Sequence, residues 1–256
     1  MVVTYEVKNR IGYIILNRPD KRNAFNAELA DGLMRAFQRA EHDENVKIIV
    51  LKANGSVFSA GADLGALQQL QKNTLDQNIA DSKHLMQLYQ YIYRHPKVVI
   101  AQIEGHAIAG GCGLATICDF SFSVPEAQFG YTEVRIGFIP AIVMVFLLRK
   151  IGEGRAKELL LSGKLISAET AQSMGIINFI SASETIANEV TTFAENLCRE
   201  ASSDSLHLTK QLIAQVQEMK LEDALNFAAE QNALARETND CRQGIASFLN
   251  KEKIIW

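Results

Sequence analysis

The stretch Val98-Val99-Ile100-Ala101-Gln102-Ile103-Glu104-Gly105-His106-Ala107-Ile108-Ala109-Gly110-Gly111-Cys112-Gly113-Leu114-Ala115-Thr116-Ile117-Cys118-Asp119 decides the fold. Residues 98–103 form a short apolar run that reads as a buried strand. Residues 105–113 follow as a glycine-bearing loop, and Leu114 opens a helical pattern. A strand that leads through glycines into a helix turns backbone N–H groups outward at the helix start. The first N–H groups there have no internal partner, and the helix dipole adds positive character. Glycine lets a ligand come close to bare backbone. The arrangement suits an anion, or an oxygen that becomes anionic during a reaction. The alternative is a tight turn that only packs helix on strand.

The same order occurs once before. Residues 48–51 read as a buried strand, and Phe58-Ser59-Ala60-Gly61-Ala62-Asp63-Leu64 is a small-residue loop beyond it. A long amphipathic helix carrying Ile79, Leu85, Leu88 and Ile92 begins after Thr74 and ends before Pro96. Upstream, residues 4–8 and 11–16 alternate as a hairpin, and Asn26 is placed to cap a helix that runs to Glu41. Downstream, strands are expected at 120–124, 128–131 and 176–180. Helices are expected at 142–162, broken at Gly152, and at 168–174, ended by Gly175. Beyond Glu184 the pattern is helical, with breaks near Ser202, Lys220 and Asn239. The expected architecture is α/β, with a strand-rich core over 1–184 and a helical region over 185–256.

Bulk properties narrow the function. The 256 residues are enough for one large domain, and a hydrophobic content of 48% with 21% charged residues is ordinary for a globular chain. A net charge of −3 supplies no overall field for nucleic acid, so a polyanionic ligand must meet local cations. The four cysteines lack C-x-x-C spacing, which argues against a zinc ribbon or a disulfide scaffold and fits a reducing compartment. The first sixteen residues have no signal-peptide layout and no apolar run reaches membrane-spanning length, so a cytoplasmic location is expected. No metal is expected from the five isolated histidines.

Among titratable groups Glu133 stands out, in a mostly apolar segment where desolvation would raise its pKa toward a useful acid/base range. A salt bridge to Arg135 is the competing reading. Asp63 reads as a helix cap, and Asp119 and His106 as partners in structural hydrogen bonds.

Four pieces carry a resemblance: Arg18-Pro19-Asp20-Lys21-Arg22-Asn23-Ala24, the loop from Phe58 to Leu64, the run from Gly105 to Asp119, and Ala127-Gln128-Phe129-Gly130-Tyr131-Thr132-Glu133. In this order and at these gaps, the chain resembles the enoyl-CoA hydratase/isomerase (crotonase) superfamily over almost its whole length. Residues 133–154 look particularly like bacterial enoyl-CoA hydratases. The resemblance implies a spiral of ββα turns with a helical trimerisation region, assembled as a trimer or a dimer of trimers. It implies an acyl-CoA thioester substrate, with CoA part of the substrate and no separate cofactor, and neither a membrane nor a nucleic-acid partner. The N–H groups of Ala62 and Gly110 would hold the thioester oxygen as it becomes enolate-like, and Glu133 would move the proton. Lys21, Arg22, Ala24, Ala60, Gly61, Asp63 and Leu64 would border the CoA, with Phe248 and Lys251 reaching a neighbouring subunit's CoA. Residues 68–79 and 139–143, with Phe138 and Met144, would line the acyl pocket.

One departure matters. The best-known hydratases of the superfamily carry two glutamates; the second falls at Gly113, which has no side chain. Hydration by Glu133 is the favoured expectation. Proton transfer without water, as in Δ3,Δ2-enoyl-CoA isomerases, is the runner-up, and a weakly catalytic CoA-ester-binding or assembly protein is the reading of another class.

Overall fold

The computed structural model describes residues 1–256. The chain opens with an antiparallel hairpin of β1 (Val3–Lys8) and β2 (Ile11–Leu16), as the alternation predicts. Helix α1 (Ala27–His42) starts at Asn26, whose side chain accepts the Leu29 N–H at 2.9 Å. Strands β3 (Ile48–Ala53) and β4 (Val57–Ser59) lead to α2 (Leu64–Leu70) and α3 (Leu75–Tyr93). Strands β5 (Val98–Ile103) and β6 (His106–Ile108) lead to α4 (Gly110–Ile117). Strands β7 (Phe120–Ser123) and β8 (Gln128–Gly130) lead through a 3-10 turn at Glu133–Ile136 to α5 (Ala141–Ser162). Then come β9 (Ile166–Ser167), α6 (Ala168–Met174), β10 (Phe179–Ile180) and four helices: α7 (Ile186–Glu200), α8 (Ser203–Val216), α9 (Leu221–Ala235) and α10 (Asn239–Leu249).

From β3 to β8 successive strands alternate between two sheets. One sheet runs β1-β2-β3-β5-β7-β10 and the other β4-β6-β8-β9. Each ββα turn therefore adds one strand to each sheet and then one helix or more, and the neighbours β3-β5-β7 and β4-β6-β8 pair in parallel. That is the expected spiral. The central strands β2 and β5 are buried along their full length, which is why they read as continuous apolar runs.

Several expected boundaries move. Helix α4 starts at Gly110, four residues before the apolar pattern announces it, because Ala109 takes up the turn. Residues 106–108 of the glycine-bearing loop are a strand, and of 176–180 only Phe179–Ile180 pairs. Helix α2 starts where the Asp63 cap implies, but its length was not legible: no residue in it is buried, so no apolar stripe marks it. The break at Gly152 is present, with φ 75° and ψ 166°.

The core continues past residue 184, since α7 contributes Ile186, Val190, Ala194 and Cys198 to it. By contrast α9 and α10 bury no residue of their own. Helix C-termini inside the fold are closed by lysines. The Lys47 ammonium donates to Cys198 O and Ala201 O at the end of α7, Lys97 to Ala40 O and Asp43 O at the end of α1, and Lys150 to Thr116 O and Cys118 O at the end of α4. Each meets the orphan carbonyls and the negative end of a helix dipole.

Candidate active site

The loop after β4 is fixed by its backbone. Phe25 N–H donates to Gly61 O at 2.7 Å, and Asp63 N–H donates to Phe25 O at 2.8 Å. Ala62 lies between these bonds, and its own N–H has no backbone acceptor. Gly61 has φ +87°, and a Cβ there would come within 2.8 Å of the Ala109 Cβ and 3.2 Å of Ile108 O. The loops after β4 and β6 therefore touch, and only glycine fits at their contact.

Gly110 is the first residue of α4, so its N–H has no partner inside the helix. Ala109 before it adopts φ 51° and ψ −123°, a backbone conformation L-residues seldom take. It is held there by its N–H, which donates to Gly130 O at 2.7 Å. A Cβ on Gly111 would lie 2.5 Å from Ser59 O, so the first turn of α4 sits directly on β4.

Glu133 begins the 3-10 turn after β8. Just before it, the buried Tyr131 hydroxyl and Thr116 Oγ1 of α4 are 2.8 Å apart, which ties this segment to α4. The Glu133 Oε2 is buried without a hydrogen-bond partner. Burial raises its pKa, its own backbone N–H offsets that in part, and no cation contributes. The salt bridge to Arg135 does not form; Arg135 instead runs along Gly163, where a Cβ would meet its Cγ at 3.2 Å.

Ala62, Gly110 and Glu133 line one cavity of about 810 Å³. Ala60 and Asp63 line it too, with Gln69, Leu70 and Asn73, and on the far wall Phe138, Ile139 and Ile142. The remaining expected residues stand elsewhere. Lys21 and Arg22 are exposed outside the lining, though Ala60 N–H donates to Arg22 O at 3.0 Å, which attaches their loop to the cavity wall. Ala24 and Gly61 are buried behind the wall, and Leu64 turns outward at the start of α2. Met144 also lies off the lining, because one helical step from Val143 rotates it about 100° away. Phe248 and Lys251 are exposed, and neither lines the cavity.

Asp63 caps α2 by accepting Gly65 N–H at 2.8 Å, and it pairs with Arg18 at 3.1 Å. These contacts, through the Arg18 and N–H hydrogen bonds, hold its carboxyl below the usual range against the opposing effect of burial. Asp119 and His106 have the expected structural roles: Val99 N–H donates to Asp119 at 2.7 Å, and Gln128 N–H reaches His106 Nδ1 at 3.1 Å. Val143 lines the cavity as the 139–143 segment predicts, whereas Tyr89 and Phe25 also line it and neither was foreseen. Their signal was hidden, since each sits in an ordinary apolar pattern that marks core. No group of three His, Cys, Asp or Glu side chains is placed to hold a metal, and no helix is long and apolar enough to cross a membrane.

The ββα spiral with its helical C-terminal region is the fold of crotonase-family structures. An enoyl-CoA hydratase structure from Mycobacterium smegmatis superposes with TM-score 0.93 at 25% identity, covering 100% of this chain and 99% of that one. An enoyl-CoA hydratase/isomerase from Marinobacter aquaeolei superposes with TM-score 0.91 at 29% identity, covering 99% and 98%. The chain belongs to the enoyl-CoA hydratase/isomerase family, whose model matches residues 6–256, and it is an enzyme of that type. A Thermus thermophilus relative with a provisional enoyl-CoA hydratase name is 40% identical over 244 residues, 95% of this chain and 96% of that protein. The 2,3-dehydroadipyl-CoA hydratase of Escherichia coli is 31% identical over 245 residues, 95% and 94% of the two chains.

Proposed function

We propose that the enzyme adds water across the 2,3 double bond of an enoyl-CoA thioester. The observation that carries the reading is the buried, unpartnered Glu133 Oε2 in the same cavity as Ala62 and Gly110. Glu133 as carboxylate takes a proton from water while the water oxygen bonds to C3. The electrons of the double bond move onto the thioester oxygen, where two fixed N–H donors stabilise the growing charge by about 3 kcal/mol each. The enolate collapses as Glu133 returns a proton to C2, so one carboxylate serves in turn as base and acid. Its raised pKa suits both tasks. The hydratase names of the relatives support the same choice.

A specific observation favours a second reading. The place of a second glutamate at Gly113 is filled by Val143, which leaves one carboxylate, sufficient to carry a proton between C2 and C4 of a 3-enoyl-CoA. Product mass separates the two. Hydration of a 2-enoyl-CoA adds one water, whereas isomerisation of a 3-enoyl-CoA leaves the mass unchanged.

Lys21 and Arg22 would meet the CoA phosphates beside the Ala60 wall, and residues 185–256 would mediate self-association. Apolar residues on the last helices support that role, with Leu221 77% and Phe248 82% exposed. Sedimentation tests it: a trimer or hexamer is expected, and a monomer at micromolar concentration overturns it.

A further inference from the structure

Tyr89, from α3, is fully buried, and its hydroxyl donates to Gly110 O at 2.6 Å. A Cβ built on Gly110 would stand 3.3 Å from that hydroxyl and 3.7 Å from Phe25 Cδ2, so both side chains close on the Gly110 backbone. The Phe25 and Tyr89 rings are themselves neighbours, with centroids 6.3 Å apart. Phe25 in turn holds the other loop through its N–H to Gly61 O and its carbonyl to Asp63 N–H, the two bonds that flank Ala62. One chain of contacts thus runs from the Ala62 loop through Phe25 and Tyr89 to Gly110.

We propose that Tyr89 is a positioning residue: with Phe25 it forms a clasp that sets the spacing and direction of the Ala62 and Gly110 N–H donors. The inference rests on the assignment of those two N–H groups to the thioester oxygen. Such donors act only where they meet developing charge, so a small drift costs the transition state more than the ground state. Tyr89 has no other polar partner, and its hydroxyl would be costly to bury without this bond. A tyrosine that merely filled space would be replaced by phenylalanine without loss at the site.

The test uses the full-length enzyme and Tyr89→Phe, with a 2-enoyl-CoA for the rates and acetoacetyl-CoA for the site, an acyl-CoA whose enolate has its own ultraviolet band and is favoured when its thioester oxygen is held by N–H donors. In the variant, kcat is expected to fall about tenfold with KM within about twofold, tenfold being 1.36 kcal/mol of barrier. The enolate band of bound acetoacetyl-CoA is expected to weaken in parallel. An unchanged band and unchanged kcat overturn the clasp. Should Tyr89→Phe fail to fold, Phe25→Leu is read in the same way: a weakened band supports the clasp and an unchanged one overturns it. A wild-type enzyme that binds acetoacetyl-CoA with no enolate band overturns the donor assignment itself, and the clasp with it.

Discussion

The Cβ that Gly113 lacks would lie 2.2 Å from Cγ1 of Val143 and 2.8 Å from its Cβ. A third contact, with Tyr89 Cε1 at 3.1 Å, closes the other side. The space that a second glutamate would need is occupied by apolar side chains from α5 and α3.

Gly113→Glu alone is therefore expected to destabilise the fold, by about 1–3 kcal/mol from overpacking. Combined with Val143→Gly it should recover a measurable part of that loss, because the clash is removed. Denaturant midpoints for the two single variants and the double give the coupling, and strictly additive effects would contradict the packing described.

Glu133→Gln is expected to lower kcat by at least about a hundredfold while acyl-CoA esters still bind. Burial raises the pKa of this carboxyl, so the folded state keeps its proton to a higher pH than the unfolded chain does. Ionising it above that point disfavours the fold. The variant should thus be as stable as the wild type or more so at pH 8. The acid limb of the wild-type kcat/KM profile should sit above the ordinary carboxylate range; a limb at the ordinary value would speak against Glu133 as the base.

Asn23 is fully buried at φ 51°. Its amide donates to Asn54 O at 2.9 Å and Val57 O at 2.8 Å, and its carbonyl oxygen accepts Arg18 N–H at 2.8 Å. Asn23→Ala leaves all three groups unpaired and puts alanine in the left-handed region. A loss of about 2–4 kcal/mol is expected. Since this loop carries Arg22, whose carbonyl accepts Ala60 N–H, acyl-CoA affinity should fall as well.

His95 is 1% exposed, its Nε2 is 3.2 Å from Phe37 O and its Nδ1 accepts Lys97 N–H at 3.1 Å. Burial, with Lys210 nearby, pushes its pKa down to about 4, while Glu41 and the carbonyls at Phe37 and Lys97 oppose the shift. The unfolded chain therefore binds a proton that the folded one refuses, and stability drains away as pH falls from about 6.5 through about 4, by up to about 3 kcal/mol. Acid unfolding of His95→Gln should show a shallower slope across that window.

What was legible in the sequence was what neighbours in the chain decide. The β1–β2 hairpin, the Asn26 cap, the Gly152 break and the Gly175 stop are local events, and local residues announce them. The membership and the cavity residues Ala62, Gly110 and Glu133 came from short motifs whose order survives in the fold. Hidden were contacts between distant turns of the spiral. Nothing around Gly113 tells that Val143 fills its place, and nothing around Tyr89 tells that its hydroxyl reaches Gly110. The early start of α4 was hidden for a related reason: Ala109 holds a glycine-like conformation through a bond to Gly130 in another turn.

The lysines that close α7, α1 and α4 have a chemical consequence for an enzyme that handles thioesters. Burial lowers the pKa of Lys47, Lys97 and Lys150, which would make each a better nucleophile if an activated acyl group could reach it. Enclosed by peptide oxygens, these amines are withheld from stray acylation. Adventitious acyl adducts should collect instead on solvent-facing amines such as Lys21 and Lys251, and their appearance on Lys47 would report that the native shell had opened.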